Sequence, residues 1–461
     1  MNVNINTNGA ANSLESVTAY LRLWRIETRR SVVIWFLPVI ALIGWWYASA
    51  RMPYGTITWT QTSVAIGLAG TMMMPLVAGV AAWTAGRERR RGMSDLLAAT
   101  PRPPIARDLV VWGAVVGWSL LGYLALAIVF VITTDVLGTW GGPTLWPMAI
   151  GALSIALGAA LGCLFGVLIP SRFVPALLPI ALAFVLGAPH TWGMRWPSMK
   201  LISPEAALWP YDYDVFSGLP SDRAIPFALW LGGLTAVCFS LIVIFRGLTR
   251  PAMASLVVAI AVAGVGAWLL VNPATPSRAD GSMPADYDPF CTGEVVTVCG
   301  HPAYERNLKR AERALRPMFA PLLGIPGVPT RIEQDVPGSA ETSTDILLMQ
   351  ADIDVDLVIA DVVNGLMWAL AGDENHQSQS DDAGAVQFAI GRWLLERAGL
   401  PADFMSPYSF ASMPDQADEI TASADRVQER FAALSEVEQR GWLEMYFTDL
   451  RAGRVTPDDL P

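Results

Sequence analysis

Gly86-Arg-Glu-Arg-Arg-Arg-Gly-Met-Ser-Asp-Leu-Leu-Ala-Ala-Thr-Pro-Arg-Pro-Pro-Ile-Ala-Arg-Asp108 interrupts a long series of apolar segments. It opens on a basic knot of Arg87, Arg89, Arg90 and Arg91 around Glu88. Gly92 follows, then an amphipathic turn carrying Met93, Asp95, Leu96 and Leu97, then Thr100-Pro101 and a Pro103-Pro104 stop. A stretch this basic cannot lie in hydrocarbon, and arginine beside the ends of membrane spans favours the cytoplasmic side. Its position therefore orients the apolar segments on both sides of it.

The composition agrees. The chain has 461 residues, 53% of them hydrophobic, with a mean hydropathy of +0.40. That is too apolar for an ordinary water-soluble protein and fits a polytopic membrane protein. Charge is unevenly divided. Residues 1–271 hold 17 Lys/Arg against 10 Asp/Glu, whereas residues 272–461 hold 14 against 31. The first part is a membrane region with basic loops and the second an acidic, water-soluble region. The overall acidity argues against nucleic acid as a partner.

Residues 1–12 are polar and Asn-rich, and are expected to be a disordered tail. Over 13–30 a helix is expected, with Val17, Tyr20, Leu21 and Trp24 on one face and Glu15, Arg22, Arg25 and Arg29 near the other. It reads as a helix lying in the membrane interface; an ordinary cytoplasmic helix is the alternative. Seven apolar runs of near-spanning length follow, at about 31–50, 61–85, 109–134, 144–169, 173–190, 226–246 and 252–271. A cytoplasmic amino terminus puts Arg87, Arg89, Arg90, Arg91, Arg102, Arg107, Arg172, Arg246 and Arg250 inside. Only Arg51, Arg195, Lys200 and Arg223 fall outside. The odd number of spans then makes the carboxy-terminal region extracytoplasmic. The loop from Thr191 to Ile225, with Trp192, Trp196, Trp209, Tyr211 and Tyr213, reads as short helices dipping into the outer leaflet, or as a plain surface loop.

Gly158, Gly162 and Gly166 recur every four residues in the fourth run, and Gly113 and Gly117 do so in the third. Such small-residue stripes let helix backbones approach closely, within one chain or across a dimer. Gly264 and Gly266 form a G-x-G that lies inside the seventh run and has no third glycine, so it carries no weight as a nucleotide motif.

After a Pro/Asp-rich linker at 272–290, residues 291–461 read as a small, mostly helical domain. Helices are expected from Pro302 to about Leu323 and at about 354–371, 382–399, 415–433 and 435–452, with short strands at 330–335 and 345–350. Cys291 and Cys299, on the outer side, fit a turn or hairpin closed by a disulfide. A zinc site there, with His301, lacks a C-x-x-C and a fourth ligand. His376 lies among Asp373, Glu374, Asp381 and Asp382 in a segment that reads as a solvated loop rather than a cation site. No metal site is expected.

The predicted spans contain no Asp, Glu, Lys, Arg or His in their interiors, which weakens an ion-coupled carrier reading because such carriers need ionisable relays. No G-x-x-x-x-G-K-[ST] occurs, so the chain lacks that phosphate-cradling loop. Over residues 13–246, the order of interfacial helix, two spans, R-E-R-R-R-G-M-S-D-L-L-A-A-T-P and further spans resembles the membrane subunit of type-2 ABC exporters. The matching loop residues are Glu88, Gly92, Leu96, Leu97 and Pro101; where that family usually has Thr after the glycine and Glu near the helix start, this chain has Met93 and Asp95. The resemblance implies a coupling helix that docks on a separate ATPase subunit. ATP and magnesium would be held by that partner, with no cofactor on this chain and no enzymatic activity of its own. It also implies six spans, an outer-leaflet insertion between the fifth and sixth, and pairing with a second permease, identical or homologous. The stretch from V-C-G-H-P-A-Y-E-R to G-I-P-G-V-P-T-R-I-E-Q is similar to the outer domain of some actinobacterial permeases of this class.

The resulting expectation is an all-α polytopic protein of the plasma membrane. It comprises a six-span permease core (31–246), a seventh span (252–271) and a small, mainly α extracytoplasmic domain. It would serve an ATP-driven exporter. Two rivals remain: a membrane-anchored receptor or scaffold presenting its outer domain, and an outer-face hydrolase relying on His301 or His376.

Overall fold

The computed structural model describes residues 25, 28–29, 31–52, 57–90, 104–169, 171–192, 197–208, 215–273, 283–284, 288–334, 346–349, 355–368, 380–401, 404–406 and 417–461. The tail 1–12, most of the predicted interfacial helix and most of the linker lie outside these. The chain forms two compact units, one ending at Ala285 and the other running from Asp286 to Pro461 with residues 54–56.

The first unit is a bundle of apolar helices: α1 Val33–Ser49, α2 Trp59–Ala85, α3 Pro104–Leu137, α4 Leu145–Leu168, α5 Val174–Trp192, α6 Ala224–Arg246 and α7 Arg250–Val271. Each coincides with a predicted run. Five of them, α2, α3, α4, α6 and α7, are long and apolar enough to cross a membrane; α1 and the apolar part of α5 are shorter. The largest boundary difference is at α3, expected over 109–134. It starts at Pro104, inside the expected proline stop. Proline lacks only an N–H that the first turn leaves unbonded anyway, and its fixed φ suits that position.

The axis of the bundle is α2. From Gln61 to Thr84 almost every residue is buried, as a helix apolar on all sides must be. Its closest neighbour is α4, and the two run parallel. Gly67 lies against Pro147, Gly70 against Gly151, Gly158 against Met74, Gly162 against Ala78 and Gly166 against Ala82. A methyl group added at Gly158 or Gly166 would stand 2.6 or 2.7 Å from the Met74 or Ala82 carbonyl oxygen, and one at Gly162 would overlap that of Ala78. The glycine stripe of α4 is therefore used within the chain, not at a dimer surface. Gly113 and Gly117 of α3 are only half-buried. A second tight seam joins α6 to α7, where Gly233 meets the Ala263 backbone and Gly266 that of Trp230. Gly266, without meaning as a nucleotide motif, thus has a packing one.

The two units meet different solvents. The first exposes large apolar side chains over much of its surface, among them Trp35, Leu42, Val136, Phe184, Val258 and Trp268. The second exposes Leu323, Val437 and Met445 and no other large hydrophobic side chain among the described residues. An apolar exterior of that extent marks a membrane-embedded surface. Several threonines inside the bundle find local partners, as hydrocarbon favours. Thr71, Thr84, Thr134 and Thr235 bond to carbonyls of their own helices. Thr62 and Thr134 share a 2.6 Å bond across α2 and α3.

The second unit was expected to be mainly helical with two short strands. It has the expected helices: α8 Glu305–Phe319, α9 Val355–Trp368, α10 Asp381–Arg397, α11 Ala417–Ala433 and α12 Glu436–Arg451. It also has a four-stranded sheet, in the order β1 Phe290–Thr292, β2 Thr297–Gly300, β3 Arg331–Gln334 and β4 Ile346–Met349. The expected strands are β3 and β4. The other two form an antiparallel hairpin around Gly293, whose φ of 116° only glycine adopts readily. The remaining pairs are parallel. Strands of three or four residues carry too little periodicity to separate from a turn. One core of Val298, Leu315, Ile332, Val362, Leu394, Phe431 and Phe447 joins the sheet to all five helices. Arg451 is buried in it, donating to Leu366 O (3.0 Å) and Gly327 O (2.7 Å). Burial lowers its pKa from the ordinary value.

The α2–α4 contact predicts a sharp contrast between two glycines. Gly162→Ala should lower the stability of the detergent-solubilised protein by about 1–3 kcal/mol through overpacking against backbone. Gly264→Ala, in open space on α7, should leave the melting temperature unchanged or raise it slightly, because alanine is the better helix former. Equal melting of the two variants would contradict the packing described.

Candidate functional site

The loop singled out in the sequence is described at its two stems, 86–90 and 104–108. Arg91, Gly92, Asp95, Leu96, Leu97 and Pro101, and with them the expected coupling helix, lie outside the described residues. The outgoing stem continues α2 through Gly86 into one further helical turn, Arg87–Arg90, which includes Glu88 and Arg89. Arg90 folds back along it. Its guanidinium stands 4.4 Å from the centroid of the Trp83 ring and donates to the Trp83 carbonyl. A cation is favoured there twice, by the negative end of the helix and by the indole face. Gly86 is confined by Arg90 and by the carbonyls of Ala82 and Gly166.

The returning stem is the start of α3. Asp108, 8% exposed, accepts a 2.7 Å bond from Nη2 of Arg246, the last residue of α6. Arg246, in the last turn of α6, also suits the negative end of that helix, beyond its attraction to Asp108. The pair ties the base of α3 to that of α6. With the Arg90 cap, it anchors both stems of the loop in the bundle. Arg172 lies at the same end, on the rim of an apolar groove of about 490 Å³ lined by Phe36, Leu76, Val80, Trp83 and Pro179. Of the basic residues expected to share one side, Arg87, Arg90, Arg107, Arg172 and Arg246 lie at this end, and Arg91 and Arg102 lie outside the described residues.

The opposite end holds a polar cluster that was not read from the sequence. Tyr47 Oη, near the end of α1, donates to Oε1 of Glu205 at 2.8 Å. Arg51 donates to the same hydroxyl at 3.1 Å and lies over the tyrosine ring. Glu205 is buried and belongs to the connection between α5 and α6. That connection contains a short helix, Pro197–Ile202, whose last carbonyl accepts from Trp230 Nε1. The expected aromatic residues Trp196, Trp209, Tyr211 and Tyr213 lie outside the described residues.

In the second unit, Cys291 and Cys299 form the expected disulfide and pair directly across the β1–β2 hairpin, with Cα atoms 4.1 Å apart. His301 is fully buried. Its Nδ1 accepts from the Ala303 amide at 3.1 Å, and its own amide donates to Gln334 Oε1 at 2.8 Å. It caps the turn leading into α8, which leaves it badly placed as a base for a substrate in water. His376, Asp373 and Glu374 lie outside the described residues, while Asp381 and Asp382 occupy the first turn of α10, favoured there by its dipole. Among the described residues no group of three or more His, Cys, Asp or Glu side chains is placed to hold a metal ion.

In comparison with known proteins, the chain matches no family model, no curated protein and no solved structure.

The anchoring of the loop by Asp108 and Arg246 can be measured with a double-mutant cycle. Asp108→Asn and Arg246→Gln should each destabilise the protein, and the double variant should be little worse than either. The coupling expected for a partly exposed pair is about 1–2 kcal/mol, read from melts of all four proteins in one detergent. Additive losses would show that the returning stem is not held to α6 by this bond.

Proposed function

We propose that the chain is the membrane-embedded permease subunit of an ATP-driven exporter of the type-2 ABC class. In this reading the Gly86–Asp108 loop is the docking point for a separate ATPase subunit. The observation that carries it is the fastening of both loop stems. A short helix transmits a partner's closure only if the elements it joins are rigidly attached to it. Arg90 locks one stem onto α2, and the Asp108–Arg246 pair locks the other onto α3 and α6. A loop needed only for topology or for binding anionic lipid requires the arginine charges but no such fastening.

In this reading α1 to α7 all span the bilayer. The amino terminus and the basic end face the cytoplasm, and residues 286–461 face outside. The ATPase holds ATP and magnesium, and two permeases, identical or homologous, enclose the pathway. The groove beside α1, α2 and α5 then opens towards the second permease, and substrate leaves near the Glu205 end. The compact core of the second unit favours one rival, a scaffold that presents this domain to a partner.

Purification in mild detergent from the native host, with mass spectrometry of the bound chains, separates these readings. A Walker-motif ATPase should accompany the wild-type protein. It should be lost from a Leu96→Asp/Leu97→Asp variant that is still folded by its melting curve. Arg90 is a poor target because it also caps α2. Recovery of folded, abundant protein with no ATPase would overturn the permease reading and leave the scaffold.

A further inference from the structure

Helix α8 differs from the rest of its unit. Residues 272–461 contain 14 cations and 31 anions, yet Arg306, Lys309, Arg310, Arg313 and Arg316 all fall within its fifteen residues. They are not evenly spread. Leu308, Ala311, Leu315, Met318 and Phe319 form the buried face against the core. At 100° per residue, Arg306, Arg310 and Arg313 stand on the line opposite it, and all three are exposed. The helix's two acids lie off that line and serve the flanking cations. Glu305 pairs with Lys309 and Glu312 with Arg316. Arg313 bonds only to its own helix, through Nε to the Lys309 carbonyl. Among the described residues no carboxylate neutralises the crest.

Three uncompensated guanidinium groups in a column repel one another, and such a column suits an extended anionic surface better than a single counter-ion. In an acidic unit, surface charge chosen for solubility alone would be acidic as well. We propose that the crest of α8 is a docking face for anionic phospholipid headgroups of the membrane in which the same chain is anchored. Tethering favours this partner. Residues 272–289, between α7 and β1, extend to at most about 60 Å, so the face samples the bilayer at high effective concentration. Each arginine near an anionic membrane strengthens association by about fivefold, and three together by about a hundredfold. This inference does not depend on the transport reading.

The test uses the full chain in nanodiscs of phosphatidylcholine alone or with phosphatidylglycerol. Arginines are modified with phenylglyoxal, and Lys309, the only lysine after residue 271, is modified with a water-soluble acetylating reagent. Rates are read by peptide mass spectrometry. In anionic discs Arg306, Arg310, Arg313 and Lys309 should react about tenfold more slowly than in neutral discs, and molar salt should remove the difference. Exposed Arg426 on α11 should react alike in both. In an Arg306→Gln/Arg310→Gln/Arg313→Gln chain, Lys309 acetylation should no longer depend on the lipid. Equal rates in the two discs would overturn the proposal. So would slow reaction in both discs at every salt concentration, which would mark the face as covered by protein.

Discussion

The architecture of the first unit depends on the backbone contact between α2 and α4. In a bilayer no hydrophobic force draws two apolar helices together, because lipid tails are as apolar as leucine. Association rests on close van der Waals packing, which small residues permit. Gly67, Gly70, Gly158, Gly162 and Gly166 supply it in a register that keeps the two helices parallel. Parallel neighbours oblige α3 to return across the bundle between them. Ala85 and Leu168 then finish at the same end, and Gly86 comes against the Gly166 carbonyl. The arginine-rich loop leaves the bundle from a position set by that seam.

Around this pair the solvent decides the rest. The first unit turns apolar side chains outward and bonds several threonine hydroxyls to carbonyls of their own helices. The second turns acids outward and buries Arg451 and Gln387, whose donors hold the carbonyl ends of α9 and α12. Both devices satisfy backbone or side-chain polar groups that have no water to turn to. The charge imbalance along the sequence records the same division.

Local patterns made much of this legible. Apolar runs of spanning length marked α1 to α7 within a few residues, and helical spacing marked α8 to α12. The spacing of Cys291 and Cys299 foreshadowed the hairpin, and the four-residue glycine period the seam, though not whether it lay within one chain. Periodicity does not report partners distant in sequence. Asp108 meets Arg246 across 138 residues and Tyr47 meets Glu205 across 158, and neither pair leaves a local signature. Gly266 was visible as a residue, but its meaning lies in the backbone of Trp230. His301 looked like a ligand or a base because histidine often is one; its cap is visible only once the turn into α8 has formed. The loop motif itself was read from residue order, and its central part, 91–103, lies outside the described residues.

The distribution of polar fastenings constrains how such a bundle can move. Its middle is held by glycine seams, which carry no charge and join α2 to α4 and α6 to α7. Charge-assisted contacts lie at the ends; the Arg223 guanidinium, just before α6, donates to Leu270 O of α7 at 3.2 Å, and two others join different partners. Asp108–Arg246 links α3 to α6 at the loop end. Glu205–Tyr47–Arg51 links α1 to the α5–α6 connection at the other. Separating backbones in contact along a seam forfeits many van der Waals contacts at once, and parting the buried carboxylates of Asp108 and Glu205 from their partners would leave them unpaired. The seams therefore define tightly packed pairs, and the end contacts fasten neighbouring elements to them. A force applied to the loop reaches α2–α4 through the Arg90 cap and α6–α7 through Arg246. The described stems of the loop are thus fastened to both glycine-seamed pairs, which is the arrangement the proposed permease reading calls for.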